Sequence, residues 1–264
     1  MASSPADPPF DQLGDAAQLI DWPWDEALAA LNAQAAQLPG GLCFVEQTPA
    51  LVADGLSYEQ RIGECGQIAM RRDSLHDLYG ALMWLAWPRS KWAIHRGQMA
   101  GIQAHGARQR SRHQQALAHI DEAGLVLVTE DPTLIDALHA HDWAGLLGAR
   151  RAAWSQARVA VIGHALFELK RTQPHDLLAG KVIAVVGPAS AADSALDAVV
   201  AQGIDTRRAA ADPRDLPTLP LAAIPGWDPR NTDAGFIASA PCFRPRPPGR
   251  VYAPPLVLGE PERR

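Results

Sequence analysis

The sequence predicts an α+β fold: a helix-rich single domain with a few short strands and a proline-rich C-terminal segment wrapped over it. Three observations carry this. Several long stretches repeat apolar residues at helical spacing, three short apolar runs (LCFV, LVLV and KVIAVV) have the length of strands, and proline becomes dense after residue 212. With 264 residues, 47% of them hydrophobic and 20% charged, the chain can bury a substantial core and is too apolar to remain disordered.

The organisation expected is a loosely ordered acidic segment over 1–20, a main α+β domain over 21–212, and a C-terminal segment over 213–264 packed on it. DWPWDEALAALNAQAAQL reads as a helix opened by Asp21 or Pro23, running through Leu38 and closed by Pro39-Gly40-Gly41. LCFV is a strand, and Gly63 and Gly66 break any long helix in YEQRIGECGQIAM. The next helix starts at Asp73 or Ser74, where Ser74 and Asp77 approximate a capping box. Leu75, Leu78, Leu82 and Leu85 share one side and His76, Gly80, Met83 and Trp87 another, so this helix is expected to be buried until Pro88 stops it. SKWAIHRGQMAGIQA continues as a second helix crossing near it.

QALAHIDEAGLVLV reads either as a hairpin turning at Gly124 or as a helix ending at Gly124 with one strand after it. DPTLIDALHAHDWAGLL is a helix with Asp131 as cap and Pro132 in its first turn. RAAWSQARVAVIGHALFELKR is expected as another long helical element despite Gly163. KVIAVV is the clearest strand, and AADSALDAVVAQG a helix closed by Gly203. Beyond Pro213, Trp227, Phe236 and Phe243 are expected to anchor the tail.

Composition narrows the function classes. No run approaches the roughly 18–20 apolar residues of a membrane span, and MASSPADPPFDQLGD has neither a basic region nor an apolar stretch for secretion, so no membrane association and a cytoplasmic location are expected. Cys43, Cys65 and Cys242 lie far apart, which suits small buried side chains rather than a disulfide framework or a zinc knuckle. Residues 1–60 hold nine acids and no Arg or Lys, whereas 61–112 hold nine basic residues against Glu64, Asp73 and Asp77. Halves of opposite sign attract one another within a fold, or the basic 61–112 segment faces an anionic ligand or a protein partner.

The candidate chemistry sits on histidines and carboxylates. His76 and Asp77 are the raw material of a metal site or general base, although adjacent helical residues point about 100° apart and do not grip one another. His164 and Glu168, four apart, are neighbours on one helical face and can present two metal ligands. His139 and His141, two apart, face different ways. VIAVVGPASAADS lacks both phosphate-loop glycine patterns, and Ser155 and Ser194 lack a nucleophile-elbow setting.

Several stretches together, LCFVEQ, YEQRIGECGQI, Arg71 with HDLYGALMWLAWPRSK, IDEAG, GHALFELK, LPLAAIPGW and CFRPRP, resemble one bacterial family, domain of unknown function 3025. The resemblance brings no activity with it. It does imply departures: Ala69-Met70-Arg71 stand where the family resembles P-T-R, Gly80 where it has Asn, and Gln114-Gln115 where it has Arg-Asp. The resulting expectation is a hydrolase using a divalent metal on an anionic, phosphate-bearing substrate, weakened by those departures. Arg71, His76 and Asp77 would form its catalytic set, and His76, Asp77, His164 and Glu168 its metal ligands. The alternative is a non-catalytic adaptor with a basic, tryptophan-rich surface.

Overall fold

A computed structural model describes residues 7–259. Helix α1 (Trp24–Gln34) stops one turn short of the expected end, and a 3-10 turn carries the chain to Leu38. Strands β1 (Cys43–Glu46) and β2 (Gln67–Met70) pair in parallel around α2 (Tyr58–Cys65), whose start is a full capping box of Ser57 and Gln60. Helix α3 (Leu75–Ala86) is capped by Ser74, and α4 (Pro88–His105) begins at the proline that ends it. The expected burial of α3 is met: Leu78, Tyr79, Ala81, Leu82, Met83 and Trp84 all lie in the core.

Helix α5 (Arg112–Ala123) ends at Gly124, and β3 (Gly124–Thr129) follows at once, so the hairpin alternative is not adopted. β3 is buried at all six positions because it runs between β4 (Ala157–Val161), antiparallel, and β5 (Ala179–Val186), parallel. A strand covered on both faces reads as a continuous apolar run, which is what LVLV is. The far edge of β5 is shared by β6 (Thr218–Pro220) and β7 (Leu256–Val257), both from the C-terminal segment.

Two long helices anticipated from the sequence are divided. The stretch 131–147 splits into α6 (Pro132–Ala140) and α7 (Trp143–Leu147), because His141 takes a left-handed conformation at φ 55° and Asp142 caps a new start. The stretch 151–171 becomes 3-10 turns, then β4, then α8 (Ala165–Thr172). Alternation in ARVAV lets it pair with β3. Gly163 then sits so close to the next turn that a Cβ would lie 2.2 Å from the Gly124 nitrogen. Helix α9 (Asp193–Asp205) packs on α4, and its buried Asp197 accepts the backbone N–H groups of Arg89 (2.9 Å) and Ser90 (2.8 Å), capping α4 from outside.

Of the segment 1–20, residues 1–6 lie outside the described part. Phe10–Asp21, expected to be loose, is wound in 3-10 turns that bury Phe10, Leu13, Ala17 and Leu19. Apolar spacing in FDQLGDAAQL supplies the reason. In the C-terminal segment Leu216, Leu219 and Leu221–Ile224 are buried, Trp227 and Phe243 pack on the core, and Phe236, within α10 (Ala234–Ser239), sits edge-on to Phe243. The whole is an α+β single domain. The cysteines depart from expectation: Cys65 is exposed, and Cys43 and Cys242 are half-buried, since Cys43 and Cys65 fall at element ends and Cys242 in a turn.

Candidate metal centre

The site begins with a cap. Ser74 Oγ accepts the Asp77 N–H at 3.3 Å, but Asp77 does not reciprocate as a capping box would. Its carboxylate accepts the Arg71 backbone N–H at 2.7 Å and the Arg71 guanidinium through Nε at 2.9 Å and Nη2 at 2.8 Å. Burial pushes the Asp77 carboxyl up, and the Arg71 hydrogen bonds outweigh it, leaving the group below its ordinary value. With both oxygens bound, Asp77 is not placed as a metal ligand, contrary to expectation; it holds Arg71.

His76, one residue earlier, points the other way, toward α8. Its Nδ1 lies 2.8 Å from Glu168 Oε2, and its Nε2 lies 3.0 Å from His164 Nε2. The two rings meet edge to face, 4.5 Å between centroids. Gly80, one turn along α3, borders this contact: a Cβ there would stand 3.9 Å from the His164 ring, an ordinary van der Waals distance.

His164 is brought to this place by two turns that clasp one another. Gly163 donates its N–H to the Gly124 carbonyl at 3.0 Å, and His164 donates its own to the Asp121 carbonyl at 3.1 Å. The end of β4 is thereby fastened to the end of α5. His164 is 6% exposed, its Nδ1 has no hydrogen-bond partner, and Asp121 Oδ2 lies 4.0 Å away. Burial drives its imidazole below the ordinary histidine value, with Asp121 only partly opposing, so the ring is neutral at pH 7. A neutral imidazole is the form that binds metal.

Asp121 is itself held by an ion pair with Lys91, a side chain 4% exposed. Burial pushes the Asp121 carboxyl up, and the Lys91 charge and hydrogen bond together with the neighbouring His164 and His76 rings more than reverse this. Next to it, Glu122 Oε2 lies 3.7 Å from His164 Nε2. Among the described residues, His76, Glu122 and His164 form the one group whose ligand atoms all fall within 4.8 Å of one another. Two nitrogens bound to one tetrahedral ion at about 2.05 Å stand about 3.3 Å apart. The observed 3.0 Å between the Nε2 atoms is close to that.

The structure thus joins His76, His164 and Glu168 but assigns Glu168 a different part from the expected one. It sits on the Nδ1 of His76, where a carboxylate orients a ligating ring and raises its basicity. The carboxylate of the candidate cluster that sequence reasoning missed is Glu122. Its segment, IDEAG, read either as a hairpin turn or as a helix end, and neither reading aimed Glu122 at a distant histidine. Of the family departures, Ala69 and Met70 are buried on the wall of the adjoining cavity. Gln114 is buried and exchanges amide hydrogen bonds with Gln98, and Gln115 is at the surface.

That cavity, about 730 Å³, lies between α2, β2, α3, α4 and α5, and His76, Glu122 and His164 form part of its lining. Glu59 also lines it, bound to His95 Nδ1 at 2.6 Å; burial raises its carboxyl above the usual range despite His95.

Fold and site together define an α+β protein with a histidine-carboxylate cluster, anchored on the buried His164, at the wall of a cavity. The chain belongs to the family described as Protein of unknown function (DUF3025), which matches residues 42–247 and so includes every residue of the centre. No curated protein and no solved structure matches it. No helix among the described residues is long and apolar enough to cross a membrane.

Proposed function

We propose that this protein is a metal-dependent hydrolase acting on an anionic, phosphate-bearing substrate, with His76, His164 and Glu122 as the ligand set. The observation that carries the reading is the pair of imidazole Nε2 atoms 3.0 Å apart, one ring backed by Glu168 and the other facing Asp121, beside a cavity of substrate size. Two histidines and one carboxylate suit a catalytic zinc with an open position, where the ion would act as a Lewis acid and lower the pKa of bound water.

The chain's own residues supply the rest. Arg71, oriented by Asp77 through Nε and Nη2, keeps Nη1 for an anionic oxygen at the cavity wall. Glu59, on the cavity wall and bound to His95, has its carboxyl raised by burial above the usual range and is the group we assign as proton donor for a leaving group. Lys91 holds Asp121, whose Oδ2 stands 4.0 Å from the Nδ1 of His164 and places a negative charge beside that ring.

The adaptor alternative has less support. Within the basic segment, Arg61, Arg71, Arg72, Lys91, Arg96 and Arg112 are each engaged by a carboxylate of the same chain. Trp84 and Trp87 are buried. The cytoplasmic location we favour accords with three free thiols, including the exposed Cys65.

The test is metal content by elemental analysis of purified protein, followed by hydrolysis of 4-nitrophenyl phosphate and its bis ester with added zinc, manganese or magnesium. We expect about one ion per chain and a hydrolytic rate lost in His76→Ala and Glu122→Gln. Protein that neither retains nor is stabilised by any of these ions refutes the proposal.

A further inference from the structure

The cavity beside the centre has a direction, set by the antiparallel pair α4 and α5. The two helices approach closely where Gly97 faces Leu117 and Gly101 faces Gln114, and the turn 106–111 joins them. Along α4, Lys91, Ile94, Gln98 and Ile102 line the cavity, and along α5, Gln114, Ala118 and Glu122. From Lys91 to Ile102 is about 16 Å of helix, and from Gln114 to Glu122 about 12 Å. The end at the centre is therefore polar and carries the candidate ligands, Ile94, Gln98, Ala118 and His119 line the stretch between, and the turn forms the mouth at the other end.

Charge along this path is unequal. Arg71 is bound to Asp77 and Lys91 to Asp121, so the inner cations are already matched. Arg110, in the turn at the mouth, also lines the cavity; it is exposed, and no carboxylate pairs with it among the described residues. One unmatched guanidinium at the far end of a channel is a docking point for an anionic group remote from the reacting bond.

We infer that the cavity takes an elongated substrate whose terminal anionic group, carboxylate or phosphate, is held by Arg110 roughly 12–16 Å from the bond that reacts at the centre. The inference rests on reading that centre as a metal site. Remote binding of this kind is how an enzyme positions a substrate without touching the reacting atoms.

The test uses zinc-loaded protein and straight-chain hydroxamic acids, which chelate zinc, carrying a terminal carboxylate, a terminal phosphate or a neutral methyl ester on chains of increasing length. Isothermal titration should show that chains long enough to span the channel bind about tenfold or more tightly as anions than as methyl esters, the worth of a charge-assisted hydrogen bond. Short chains should show no such preference. Arg110→Ala should abolish the preference while leaving methyl ester binding unchanged, and Arg110→Lys should restore part of it. Equal binding of anion and ester at every length, or a preference that survives Arg110→Ala, overturns the inference but leaves the metal centre standing. Failure of every hydroxamate to bind overturns both.

Discussion

Replacing Glu168 by glutamine keeps the shape of the side chain and removes the charge that faces His76 Nδ1 at 2.8 Å. A carboxylate in this position typically strengthens metal affinity about 10- to 100-fold. Zinc supplied at about 100 times the wild-type Kd should stabilise the wild-type fold by about 2.7 kcal/mol, since the ion binds the native state. In a chain of 264 residues that is a rise in Tm of about 5–10 °C. At the same zinc concentration Glu168→Gln would retain only about 0.4–1.4 kcal/mol, a rise of a few degrees at most. Differential scanning calorimetry with and without zinc, over a range of concentrations, gives both shifts and the two affinities. Asp77→Asn serves as the control, because Asp77 is bound to Arg71 and should leave the zinc shift intact. If Glu168→Gln shifts as far as wild type, or Asp77→Asn loses the shift, the assignment of the two carboxylates is wrong.

Other outcomes follow from the same coordinates. His119, His139, His141 and His175 are each held below the ordinary histidine value, chiefly by burial. Between their folded values and about 6.5 the unfolded chain binds more protons, so stability must fall as pH drops through that window. Glu59 and Asp11, raised by burial, oppose this with two groups against four. The urea midpoint of metal-free protein should be lower at pH 5.5 than at pH 7.5, and His139→Asn should narrow the gap; an equal or higher midpoint at pH 5.5 contradicts it. Gly163→Ala would force a Cβ to within 2.2 Å of the Gly124 nitrogen. It should cost about 1–3 kcal/mol in urea unfolding and weaken zinc binding by displacing His164, whereas an unaffected zinc shift would show that the clasped turns do not set that ring. Asp197→Ala removes the outside cap of α4 and should cost about 1–2 kcal/mol with an unchanged urea m-value. A neutral result would mean that water replaces it.

What the sequence by itself determined is what local rules reach. Ser74 as cap, Pro88 as stop and start, the apolar runs of β3 and β5, and the two-sided burial of α3 are each decided within a turn or a strand. Helical spacing and capping chemistry act over those few residues. His76 and His164 were legible as candidates for the same reason. Their meeting was not, since 88 residues separate them and only the pairing of β3 with β4 and the clasp of Gly163 on Gly124 close that distance. The same long-range contacts turned 157–161 from helix into strand, moved Glu168 behind His76 and brought Glu122 forward into the candidate cluster. Which oxygen faces which nitrogen is fixed by packing between distant segments, and no periodicity along one segment encodes it.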